Sequence, residues 1–171
     1  MVVYNLLKVK QFYNMSKCCK ENVNTCQTDY VSSFVEIGKE IPDFEMGAFH
    51  DGDAKTIKLS EYRGKWLILF FYPQDFTFVC PTELEEMENN YDEFKKLDTE
   101  VVSVSTDSVE VHKAWHDASD AIKKIKYPMA SDPRHIVCKA FGTHIEEEGV
   151  SLRGTFLVDP DGILRSIEIN D

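Results

Sequence analysis

The chain has 171 residues, 43% of them hydrophobic, which is enough to bury one sizeable core. Its formal net charge of −11 argues against nucleic acid and anionic membrane surfaces as partners. No stretch is long and apolar enough to cross a membrane as a helix.

Residues 1–34 read as a flexible N-terminal extension. They hold Cys18, Cys19 and Cys26, with Lys8, Lys10, Lys17 and Lys20 and no acidic residue before Glu21. Three cysteines without a fourth ligand make a poor zinc site, so no metal is expected. A redox role for one of them and a weak targeting sequence are the competing readings of this stretch. Five cysteines without a paired framework fit a reducing compartment. The cytosol is the expectation, or an organelle if the extension is a leader.

Lys65–Tyr72 is short, apolar and rich in aromatics, which predicts a buried strand. Pro81 favours the first turn of a helix, and Glu83, Glu85 and Glu86 put negative charge there. Leu84, Met87, Tyr91, Phe94 and Leu97 recur at helical spacing. Cys80 is thus predicted at a helix N-terminus, among unpaired backbone N–H groups. Such a place favours thiolate over thiol. Ionisation also weakens the nucleophile, so the net gain is only about a few-fold. Fast chemistry there needs donors that bind the electrophile in the transition state.

Val101–Ser105 predicts a second apolar strand. A helix is predicted over about 108–125, with Val109, His112, Trp115, Ile122 and Ile125 on one face. Residues 134–141 read as a short helix around Cys138, a buried structural cysteine rather than a resolving one. Gly154–Val158 and Ile163–Ile169 flank the turn Asp159-Pro160-Asp161-Gly162, a hairpin signal. Alternating strands and helices followed by a hairpin give one α/β layered domain over 35–171. The thioredoxin-like fold, a central mixed sheet flanked by helices, is the natural candidate.

The segment Pro73-Gln74-Asp75-Phe76-Thr77-Phe78-Val79-Cys80 resembles the active-site motif of the peroxiredoxins, P-x-x-x-T-x-x-C. The longer run FFYPxDFTFVCPTE is similar to that of the typical two-cysteine group, which includes bacterial alkyl hydroperoxide reductase C. Gln74 departs from the leucine usual there. Gly149–Pro160 resembles the family's strand carrying a catalytic arginine, matched by Arg153. Spacing alone does not link Arg153 to Cys80. The likeness runs from Ile37–Phe44, matched to the family's opening strand, to the end of the chain.

The resemblance implies a thiol-dependent peroxidase without metal or flavin cofactor. Cys80 would attack hydrogen peroxide or an organic hydroperoxide, become a sulfenic acid and be recycled by a thiol reductant. Thr77 would orient the peroxide, Pro73 shield the thiolate, Arg153 stabilise thiolate and transition state, and Glu83 orient Arg153. A homodimer, often a ring of dimers, is implied. Phe76 and Phe78 are interface or core aromatics, the two readings being left open. In the family a resolving cysteine follows the segment matched by Ile169-Asn170-Asp171, and none follows Cys138 here. A shortened form of a longer chain is the expectation, ahead of an enzyme using one cysteine and an external thiol. Some relatives carry a second arginine at the position of His135, and neither His135 nor Arg134 is assigned that role. A thioredoxin-like disulfide reductase would need a C-x-x-C pair, which Cys80-Pro81-Thr82-Glu83 is not. A ring-forming holdase chaperone or redox-signal relay is the alternative function.

Overall fold

The computed structural model describes residues 34–170. The readings made for Cys18, Cys19 and Cys26 fall outside them. The described residues form a seven-stranded mixed sheet in the order β2-β1-β5-β4-β3-β8-β9. Its strands are β1 (Glu45–His50), β2 (Asp53–Lys58), β3 (Trp66–Phe71), β4 (Thr99–Ser105), β5 (Met129–Ser131), β8 (Arg153–Val158) and β9 (Leu164–Asn170). β6 (His144–Ile145) and β7 (Val150–Ser151) form a separate small ladder. Four α-helices accompany them among the described residues: α1 (Cys80–Asn89), α2 (Tyr91–Lys96), α3 (Val109–Ala118) and α4 (Ile136–Ala140). This is the predicted layered α/β arrangement.

β3 lies at the heart of the sheet because every one of its six residues is buried. An apolar run of this kind suits a strand covered on both faces. It pairs parallel with β4 and antiparallel with β8. Leu67, Leu69 and Phe71 point into a core shared with Val102, Val104, Ala130, Val137, Cys138 and Phe156. Side chains alternate along a strand, and Phe70 and Tyr72 stack at 6.4 Å, with Trp115 6.3 Å beyond Tyr72.

Three rings close the first of these cores. Phe71, Phe141 and Phe156 meet at centroid distances of 4.9–5.3 Å, two of the pairs edge to face. Gly154 permits this, since a Cβ there would come within 2.9 Å of the Phe156 ring and 3.0 Å of Thr143. Phe156→Ala removes one ring from a site that cannot collapse. It is expected to cost about 3–5 kcal/mol, read as a lowered denaturant midpoint at unchanged m-value.

Three elements differ from expectation. The apolar stripe from Leu84 to Phe94 is buried as predicted, but it spans two helices, not one. The Asn90 side chain donates to the Glu86 carbonyl at 2.8 Å and ends α1 there. The helix predicted to reach residue 125 stops at Ala118. Ser119 turns extended and its hydroxyl accepts from the Ile122 N–H, starting a 3-10 turn over Ile122–Lys124. The opening strand lies at 45–50, not 37–44. The earlier stretch makes a single bridge, Glu40 to Ile163, and Pro42 has no N–H with which to extend it.

Candidate active site

The parallel strands β3 and β4 end side by side, with the Tyr72 N–H donating to the Val104 carbonyl at 3.1 Å. From there the chain runs through the loop 73–79 into α1. Cys80 is the first residue of that helix and Pro81 occupies its first turn. Val79, the N-cap, supplies no side-chain cap. The helix therefore presents its positive end at the cysteine. The Thr82 hydroxyl turns back to the Val79 carbonyl at 2.8 Å. Cys80 is buried and free.

Arg153 reaches this thiol across 73 positions of sequence, its Nη2 standing 4.0 Å from Cys80 Sγ. Sheet register explains the approach. The antiparallel pairing of β3 with β8 sets Gly154 opposite Phe71. Arg153, one residue earlier on β8, thus starts its strand where β3 hands over to the loop. Its Nε donates to Glu83 Oε2 at 3.1 Å, on the first turn of α1. A carboxylate on the neighbouring turn so aims a permanently charged guanidinium at the thiol. The resemblance links these three residues, and the geometry brings them together.

Pro73 and Thr77 both lie half-buried on the loop, seven and three residues before Cys80. The Thr77 hydroxyl donates to the Gln74 carbonyl at 3.3 Å, which leaves its oxygen lone pairs to accept another bond. No hydrogen bond joins Pro73 or Thr77 to the thiol among the described residues. Phe78 is 99% exposed, so its core reading fails. Phe76 is more than half exposed but rests on Trp115 at 6.0 Å.

Under the loop lies a set of polar groups not singled out as a site from sequence. Tyr72, Asp75 and His112 are buried and hydrogen-bonded in series. One signal was present: a histidine on the buried stripe of a helix. Its partner, 37 positions earlier in the loop, left none.

Cys138 has a different setting. It sits in α4, fully buried, with its N–H donating to Asp132 Oδ2 at 2.8 Å. Burial, with the Asp132 carboxylate beside it, pushes its thiol up to about 12. Arg134 is exposed, and the His135 ring meets the His144 ring tilted by 40° at 4.5 Å between centroids. Burial also raises Tyr72 and Tyr127 well above the ordinary tyrosine range. All three groups hold their protons more tightly folded than unfolded. Their contribution to stability is complete below the unfolded values, near 9–10, and is lost as pH rises toward the folded ones. Urea midpoints are expected to fall above about pH 9, and Cys138→Ala should make that fall shallower.

The comparisons with known proteins agree with this geometry. The AhpC/TSA family pattern matches residues 37–167. Alkyl hydroperoxide reductase C of Bacillus subtilis is 47% identical over 134 residues, covering 78% of this chain and 72% of the relative. The selenocysteine-containing peroxiredoxin PrxU of Peptoclostridium acidaminophilum is 49% identical over 139 residues, covering 79% and 68%. Among solved structures, AhpC of Enterococcus faecalis superposes with a TM-score of 0.79 at 47% identity, covering 81% of this chain and 83% of that one. Reduced 2-Cys peroxiredoxin of Plasmodium vivax gives 0.75 at 34% identity, covering 79% and 85%. A thioredoxin-like sheet, a cysteine opening α1 with an arginine at its sulfur, and a likeness running through most of the described residues lead to one conclusion: this chain belongs to the AhpC/TSA family, the peroxiredoxins.

Proposed function

We propose that this chain is a thiol-dependent peroxidase that reduces hydrogen peroxide and organic hydroperoxides through Cys80. The observation that carries the reading is the Arg153 guanidinium at 4.0 Å from Cys80 Sγ, braced by Glu83. In the reaction the Cys80 thiolate attacks the near peroxide oxygen. The S–O bond forms as the O–O bond breaks, the far oxygen leaves as alkoxide or hydroxide and takes a proton, and Cys80 becomes a sulfenic acid. A first thiol of the reductant displaces water to form a mixed disulfide with Cys80, and a second thiol releases the Cys80 thiol and leaves the reductant as its disulfide. The guanidinium offers donors to the negative charge that spreads from sulfur to the leaving oxygen. Thr77 accepts a hydrogen bond from the hydroperoxide, and Pro73 keeps water from the thiolate.

The test is single-turnover reduction of hydrogen peroxide by the pre-reduced chain, with mass spectrometry of the Cys80 peptide. Fast consumption that leaves oxygen, or a disulfide, on Cys80 supports the reading. A chain that leaves peroxide untouched overturns it.

Thr77 carries its own expectation. Thr77→Val keeps the shape but removes the hydroxyl, and should lose about 10–100-fold in peroxide rate. Thr77→Ser should stay within a few-fold. Equal damage from both would assign Thr77 to packing.

A homodimer or ring of dimers is the assembly this reading favours, supported by the family and by the exposed Phe76, Phe78 and Val79 beside the site. Sedimentation of the reduced chain checks it. Catalysis by a free thiol supports residence in a reducing compartment, the cytosol, which fractionation of a tagged chain would test. The relatives bear enzyme names, so the holdase or relay alternative is not favoured.

A further inference from the structure

Among the described residues one buried side-chain nitrogen has no hydrogen-bond partner, Nδ1 of His144 on β6. The side chain is only 6% exposed. Its other nitrogen is engaged, Nε2 standing 3.1 Å from Glu146 Oε2. A nitrogen lone pair facing a carboxylate at that distance is repelled, so the hydrogen sits on Nε2. In the neutral ring Nδ1 is then a bare lone pair. Burying such an acceptor unmet is costly, and an apolar side chain would fill the same place without that cost.

The ring that meets His144 is a second imidazole. His135 lies 4.5 Å away between centroids, tilted by 40°. It is partly exposed, so an ion can reach the pair from solvent. It caps nothing, because the Asp132 carboxylate does that for α4, accepting from the Ile136 and Cys138 N–H groups at 2.9 and 2.8 Å. Both backbones are set without help from a ligand. The His135 N–H donates to the Asp132 carbonyl at 2.9 Å, and His144 pairs with Ser151 across the β6–β7 ladder.

Two imidazoles on one metal ion fit this spacing. With metal–nitrogen bonds of about 2.0–2.1 Å and an angle of about 90–110° at the metal, ring centroids fall about 4.5–5.2 Å apart. The observed 4.5 Å lies at the near end of that range. Glu146 then stands behind the ligand, a carboxylate on the far nitrogen that fixes the tautomer and raises the basicity of Nδ1. Glu146, Glu147 and Glu148 are all exposed in the β6–β7 turn, an acidic rim that favours a cation even with Lys139 3.1 Å from Glu146. Among the described residues no three histidine, cysteine, aspartate or glutamate side chains converge as a metal cage. The protein therefore supplies two nitrogens, and water fills the remaining positions. Imidazole ligands select a late first-row divalent ion over Mg²⁺ or Ca²⁺.

We propose that His135 and His144 form a two-imidazole site for such an ion, of which Zn²⁺ is the probe, with Glu146 orienting His144. The bound ion clips the start of α4 to the β6–β7 ladder. The site uses none of the residues assigned to peroxide chemistry and stands whether or not the peroxidase reading holds.

The experiment titrates Zn²⁺ alone into the full chain, its accessible thiols first alkylated so that those cysteines take no ion. Calorimetry and ¹H–¹⁵N spectra of the imidazole rings read the binding. One equivalent should bind saturably, shifting the ring nitrogens of His135 and His144 while those of His50, His112 and His116 stay in place. His135→Ala and His144→Phe should each weaken binding by at least about 10-fold, and Glu146→Gln, which keeps a carbonyl for Nε2 but loses the charge, by about 10-fold. The thermal midpoint should climb with Zn²⁺ in the parent and stay flat in His144→Phe. Mg²⁺ at the same concentration should move neither readout.

A thiol-blocked parent that takes up no Zn²⁺ at millimolar concentration overturns the proposal. So does parent-like binding by His135→Ala and His144→Phe, which puts the ion elsewhere. Where His144→Phe does not fold, His135→Ala decides alone, since a partly exposed ring can be removed without opening the core.

Discussion

Cys80→Ser is expected to lower peroxide consumption by about 10⁴-fold or more. The exchange is nearly isosteric, and a hydroxyl at the first residue of α1 keeps the helix start, so the fold should survive. What disappears is the nucleophile. An alcohol at neutral pH is almost wholly protonated, and its oxygen is a poor attacker of an O–O bond without a general base. Arg153 gives no help here, because a guanidinium donates and never accepts a proton. Cys138 cannot substitute, being enclosed in the core with its thiol raised to about 12. Stopped-flow measurement of peroxide loss, with the parent run beside it, reads the effect. Parent-like consumption by Cys80→Ser would move the chemistry to another cysteine and leave Arg153 at this sulfur unexplained.

Local signals carried the sequence reading a long way. β3 was legible because a fully buried strand must be apolar on both faces. The start of α1 was legible because proline and acidic residues mark a first turn. Non-local pairing was not. Arg153 reaches the thiol only because β8 runs antiparallel to β3 in one register, and nothing within either segment states that register. The family likeness supplied the link that spacing could not. The same limit hid the Asp75–His112 couple, which joins a loop to a helix 37 positions away. Helix ends depart from the apolar period where one polar side chain, Asn90 or Ser119, bonds to the backbone and stops the helix. Phe78 was undecidable for another reason. Sequence does not distinguish an aromatic that packs inward from one held 99% exposed at a loop tip.

Arg153→Met should slow the peroxide reaction by about 10²–10³-fold, the usual size of losing a donor aimed at developing charge. Methionine fills much of the same space, so the loss reports charge and donors more than volume. Stability should change by only about 1 kcal/mol or less, since the pair with Glu83 is a partly exposed one. Large kinetic damage with little thermal damage is the signature that separates this role from a structural one. Arg153→Lys refines the reading. Lysine keeps the charge but has no planar fork, so it cannot hold Glu83 through one nitrogen while presenting another to sulfur. It should recover a minor part of the rate. Glu83→Gln leaves the guanidinium charge and removes its brace, and should cost about 10-fold. That order, Met below Lys, with Glu83→Gln nearest the parent, follows from a charge that must be both present and aimed. Were Arg153→Met to react at the parent rate, the 4.0 Å approach to Cys80 would be packing only, and the stabilising donors would have to come from the α1 backbone.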